Sequence, residues 1–115
     1  MAAEASQLAQ VRPSDTNATL VFTATIKTEI TALFITNTTG TAATYSVYHD
    51  DDGTTYDQST ALYYQVSLGA NETKTFTGNL GEGITLSAGG KLAVQSGTAS
   101  ALTYTFYGIT AQIEG

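Results

Sequence analysis

A chain of 115 residues is the size of one domain around one core, and its 42% hydrophobic and 10% aromatic residues are enough to pack it. Only 12% of residues are charged, with a net charge of -6, and the four basic residues Arg12, Lys27, Lys74 and Lys91 stand one at a time, which excludes a phosphate-neutralising footprint and hence nucleic acid as a partner. The absence of cysteine removes disulfides, thiolate nucleophiles and thiolate metal sites, and no apolar run reaches the ~18 residues of a membrane helix, so no membrane partner is expected.

Residues 1 to 15 read as an extended N-terminal arm. Helix-compatible Ala, Glu, Gln and Leu occupy positions 3 to 10 but are too few to hold a helix alone, and Pro13 with Ser14-Asp15 ends the segment. It carries an acid at Glu4 and lacks a basic region followed by an apolar run, so it does not read as a secretory signal, and synthesis in the cytoplasm is the expectation. From residue 16 to 115 the period is two, the mark of a β domain. Ala18 to Ala24 alternates with Leu20 and Phe22 on one face. Glu29 to Thr36 is apolar on both faces and reads as a central strand. After the turn Asn37-Thr38-Thr39-Gly40, Ala43 to His49 alternates with Tyr45 and Val47 inward.

Asp50-Asp51-Asp52-Gly53 is the strongest turn, because Asp tolerates turn geometry and Gly reaches positive φ without steric cost. Ala61 to Leu68 then resumes alternation, with Leu62, Tyr64, Val66 and Leu68 inward and Tyr63, Gln65 and Ser67 outward. Thr73 to Thr77 and Ile84 to Leu86 are short strands, Lys91 to Gln95 follows the turn Ser87-Ala88-Gly89-Gly90, and Ala101 to Ile113 closes the chain with a bend at Gly108. About seven to eight strands at intervals of roughly ten residues, with no helix between them, predict an antiparallel β-sandwich, jelly-roll or immunoglobulin-like. Phe22, Phe34, Tyr45, Tyr64 and Phe106 are the expected core aromatics.

Groups for chemistry are sparse. His49, the only histidine, could be imagined with Ser46 or Ser59 and a neighbouring aspartate, but there is no nucleophile elbow, and no catalytic residue is assigned. Asp50, Asp52 and Asp57 offer hard oxygens of the kind calcium takes, without the twelve-residue loop and terminal Glu of a full calcium motif; a solvated turn is the simpler reading, and no cofactor is expected. The triplets beginning at Asn17, Asn37 and Asn71 match the glycosylation pattern by chance in a Thr-rich chain. Tyr48, Tyr63 and Tyr107 fall on faces read as outward, where amphipathic rings serve an oligomer contact or a sugar. A neutral β surface has weak protection against edge pairing, so partners are expected to cover its edges.

The runs Ile35-Thr36-Asn37-Thr38-Thr39-Gly40-Thr41-Ala42-Ala43-Thr44-Tyr45, Tyr48-His49-Asp50-Asp51-Asp52-Gly53-Thr54-Thr55-Tyr56, Ala61-Leu62-Tyr63-Tyr64, Val66-Ser67-Leu68 and Gly83-Ile84-Thr85-Leu86-Ser87-Ala88-Gly89-Gly90 resemble small virion proteins of tailed bacteriophages, including marine and cyanobacterial ones. The resemblance covers residues 18 to 113 and implies a β-sandwich mounted on the particle, a capsid decoration (cement) protein or a minor tail or fibre component, with virion localisation. The expected partner is the major capsid protein or another virion protein, bound by a homo-oligomer such as a trimer, with the arm reaching a neighbour through Leu8 and Val11. The alternative is a receptor- or glycan-binding module of a tail fibre that uses Tyr48, Tyr63 and Tyr107 with the acidic loop. No enzymatic activity is expected.

Overall fold

The computed structural model describes residues 6–78 and 83–110. Among the described residues nine strands form two antiparallel sheets: β1 (Ser6–Val11), β2 (Thr19–Thr23), β3 (Thr28–Asn37), β4 (Ala43–Asp50), β5 (Ala61–Leu68), β6 (Thr73–Thr77), β7 (Ile84–Leu86), β8 (Lys91–Ser96) and β9 (Leu102–Thr110). One sheet has the order β1-β9-β3-β6, with β7 also on β3, and the other has the order β2-β8-β4-β5. β6 and β7 take successive halves of one β3 edge, Ala32–Thr36 and Thr28–Ile30. The pairs β1·β9, β2·β8, β3·β6 and β4·β5 are nested like a long hairpin folded over on itself. That nesting over two sheets is a jelly roll, which decides between the two sandwich types left open by periodicity.

Of the segment read as an arm, Ser6–Val11 is part of the sheet, and residues 1–5 lie outside the described residues. Ser6–Val11 pairs with β9 from Ser6↔Gly108 to Val11↔Tyr104, with a bulge between Gln7 and Ala9. Its residues, Ser-Gln-Leu-Ala-Gln-Val, have little intrinsic strand preference, and the pairing comes from the open edge of β9 together with apolar contact. Leu8 and Val11, expected to anchor a neighbour, are half-buried against the protein's own core.

The core lies between the sheets and includes Ile30, Leu33, Ile35, Tyr45, Val47, Leu92, Val94, Leu102, Tyr104 and Phe106. Burying each such side chain contributes about 1.5–3 kcal/mol. Among the expected core aromatics, Tyr45 and Phe106 are buried, Phe22 is half-buried at the core margin, and two are corrected: Phe34 sits on the outer face and Tyr64 is 40% exposed. β3 is not apolar on both faces in the sense expected. A bulge between Ile30 and Ala32 lets Ile30, Leu33 and Ile35 all reach the core and leaves Phe34 outside.

Polar ties hold the layers in register. The Tyr104 hydroxyl lies 2.9 Å from Ser96 Oγ and donates to the Gln95 carbonyl at 3.0 Å, joining β9 to β8 across the sandwich, and burial pushes its pKa up to about 12. Asn37, fully buried at the end of β3, donates through Nδ2 to the carbonyls of Thr41 (2.9 Å), Leu68 (3.2 Å) and Gly69 (3.2 Å), while its Oδ1 accepts from Thr39 N (2.9 Å) and Thr39 Oγ1 (2.7 Å). One amide thus fastens the β3–β4 and β5–β6 turns together. Replacing it, as Asn37→Ala, leaves buried carbonyls unpaired and is expected to cost about 2–3 kcal/mol, read as a lower urea midpoint with an unchanged slope.

Candidate interaction surface

The feature that sets β5 apart is its broken alternation. β4 pairs with β8 without interruption from Tyr45↔Ser96 to Asp50↔Lys91, whereas its pairing with β5 slips twice, between Tyr45 and Val47 and between Val47 and Tyr48. At the first slip Gln65 takes a left-handed φ of 50° and its N–H leaves the ladder to donate to Ser46 Oγ at 2.8 Å. Each slip shifts the side-chain phase by one. Tyr63, expected outward, therefore turns to the core and meets Tyr45 edge-on at 5.7 Å, and Leu68 is buried as expected. Leu62, Tyr64 and Val66, expected inward, are exposed at 44%, 40% and 38%.

β5 is also an edge: β4 lies on one side of it and no described strand on the other. Its sequence, Ala-Leu-Tyr-Tyr-Gln-Val-Ser-Leu, has no charge and no proline, the two usual guards of an exposed edge. The edges β1 and β2 also lack both but are shorter, at six and five residues against eight, while β6 carries Lys74.

The three tyrosines expected to form one surface are separated. Tyr63 is on the core side. Tyr48 is on the outer face of β4 but only 1% exposed, with its hydroxyl donating to Gln95 Oε1 at 2.6 Å. Tyr107 is half-buried on the outer face of the other sheet, where it packs edge-on against Phe34 at 5.9 Å and 86°. That outer face is built in cross-strand rows. Thr73, Thr36 and Thr103 form one, and Thr75, Phe34, Thr105 and Gln10 form the next. A shallow hollow of about 360 Å³ lies between them, lined by Gln10, Phe34, Thr36, Thr73, Thr105 and Tyr107.

The acidic loop serves turn geometry. Asp50 accepts from Thr55 N at 2.8 Å and Asp52 N at 3.2 Å; Asp51 accepts from Ser87 N at 2.9 Å and contacts His49 Nε2 at 3.1 Å. Asp57 caps the 3-10 turn Gln58–Thr60 through Ser59 N at 2.8 Å and Ser59 Oγ at 2.5 Å. Asp50, Asp52 and Asp57 do not converge, and the described residues hold no group of three or more potential metal ligands. His49 contacts Asp51, while Ser46 accepts from Gln65 on the opposite face of β4 and Ser59 bonds to Asp57, so these residues build no nucleophile and base pair.

Comparison of the chain with protein-family models, with curated proteins and with solved structures finds no match.

Hydrogen bonds, chiefly from backbone N–H groups at Asp50 and Asp51 and from Ser59 Oγ and then Ser59 N at Asp57, hold these three carboxyls below the usual carboxylate value of 3.8. A pKa lowered in the folded state gives stability that is present above 3.8 and is lost as pH falls through the folded values. Acid unfolding is accordingly expected to begin below pH 3.8 and to be shallower in Asp51→Asn, which a series of urea midpoints against pH would read.

Proposed function

We propose that this chain is a structural component of a bacteriophage virion, a decoration protein that binds the assembled head as a homo-oligomer, and that the β5 edge is its contact. The observation that carries this reading is an eight-residue edge strand without charge or proline that holds Leu62, Tyr64 and Val66 in solvent. An exposed edge of this kind exposes unpaired backbone N–H and C=O groups beside apolar side chains, so a partner strand or surface satisfies both at once. The low charge of the chain and the resemblance of residues 18 to 113 to small phage virion proteins point the same way. Fold is a weaker support, because jelly rolls carry many functions.

The mechanism is linkage. A protein that binds only the assembled shell stabilises the shell by its own binding free energy, and a trimer that engages several capsid subunits multiplies that effect. Leu8 and Val11 do not take part, because they belong to β1. Removing residues 1 to 12 would strip an edge strand from the sandwich and test folding instead of attachment.

Sedimentation of the chain alone and with heads lacking it tests the proposal. The wild-type chain is expected to sediment as an oligomer and to fill heads. Tyr64→Lys with Val66→Lys, both at exposed positions, is expected to keep its thermal midpoint within a few degrees, to run as a monomer and to leave heads unoccupied. A wild-type monomer that never joins heads, or a double variant that fills them as the wild type does, overturns it.

A further inference from the structure

The hollow on the outer face of the first sheet has a chemistry of its own. Gln10, Thr36, Thr73 and Thr105 bring amide and hydroxyl groups to its walls, and Phe34 and Tyr107 bring two rings. The polar groups are pre-ordered: Gln10 Nε2 donates to Thr105 Oγ1 at 3.0 Å, and Thr73 Oγ1 lies 3.4 Å from Thr36 Oγ1. The Tyr107 hydroxyl has no hydrogen-bond partner among the described residues. None of the six lining residues is charged.

Each fact narrows the ligand. Hydroxyls and amides both donate and accept, so they suit a ligand studded with groups that do the same. A wall without Arg, Lys or His offers an anion no charge-assisted bond, and one without carboxylates offers none to a cation. The negative face of an aromatic ring attracts the weakly positive C–H edge of a saturated ring. Two perpendicular rings cannot both lie flat on the sheet, so the surface is stepped and grips one ring-sized unit, whereas a flat plate would let it slide.

We infer that this hollow, with Phe34 and Tyr107 as its apolar floor and Gln10, Thr36, Thr73 and Thr105 as its polar walls, binds a pyranose unit of an uncharged glycan. The backbone frames it firmly, since β3 and β9 are the two central strands of their sheet. Its position is independent of the β5 edge, which belongs to the other sheet, so either proposal can fail without the other.

The test is a titration of the full chain, followed by the backbone amide resonances, with maltohexaose, cellohexaose and the acidic polymer polygalacturonate. Saturable shifts confined to Phe34, Thr36, Thr73, Thr105, Tyr107 and their neighbours are expected with at least one neutral oligosaccharide, and none with polygalacturonate. Phe34→Ala is expected to weaken that binding about tenfold, which is about 1.4 kcal/mol. Thr73→Arg, at an exposed position on an edge strand, places a long side chain over the hollow and is expected to weaken binding as much while leaving the remaining spectrum in place. Absence of saturable shifts with both neutral probes, shifts centred elsewhere, unchanged binding by folded Thr73→Arg, or equal binding of polygalacturonate would each overturn the assignment.

Discussion

A sandwich has one interior, so each strand can bury only every second side chain, and any residue inserted into a ladder passes the next side chain to the opposite face. Among its described residues this molecule meets that constraint with local slips at five places: near Leu8 in β1, near Val21 in β2, near Thr31 in β3 and twice along β5. What lies inside and what lies outside follows from them. The slip in β3 gathers three aliphatic residues in the core and releases Phe34. The slip in β2 turns Phe22 toward the core and leaves Leu20 49% exposed opposite Ala93. The slips in β5 draw Tyr63 inward and turn Leu62 and Tyr64 out.

Gly108 shows how closely the strands approach where slips coincide. It faces Ser6 on one side and Ile30 on the other, beside the bulges of both neighbouring strands. A Cβ at this position would collide with the Glu29 carbonyl oxygen and lie 2.8 Å from Leu8 Cδ1. Only glycine lets the backbones pass, so a side chain here would push β3 and β1 away from β9 and loosen the pairing of the two ends of the chain. The nested topology makes that pairing the most distant in sequence, and contacts of such separation form late and slowly.

The places of the strands were legible because alternation and turn residues are local signals. Glu29 to Thr36, Ala61 to Leu68, Thr73 to Thr77 and Ile84 to Leu86 lie within a residue or so of their observed bounds. β1 was not legible, because Gln and Ala carry no strand signal and the segment is held by β9, some hundred residues away. Facing was legible only where no slip intervenes. β4 keeps Tyr45 and Val47 inside as its alternation says, while the mirror assignment for β5 fails at Gln65, a residue with no glycine-like signal for positive φ. The pairing of Phe34 with Tyr107, seventy-three residues apart, is a register effect that no local pattern encodes. Sandwich type was hidden for the same reason, since strand order is a long-range property.

The charge distribution links the two surfaces. Among the described residues only Glu29, Asp50, Lys74 and Lys91 lie in strands, and the remaining charges lie in the connections at the sandwich ends. Glu29 is largely buried and accepts a hydrogen bond from Gly83 N at 2.7 Å, and Asp50 is tied down by the acidic turn, so neither lends its charge to a flat face. With Asp51, Asp52 and Asp57 in or just after that turn, two copies approaching through this end would bring like charges together, a repulsion that salt screens. The sheet faces and the β5 edge carry no such barrier. Covering Thr, Gln and aromatic groups costs hydrogen bonds that a partner can replace one for one, whereas covering an ion costs several kcal/mol before any contact is made. The association proposed above would thereby run sideways, through the β5 edge, and away from end-to-end stacking.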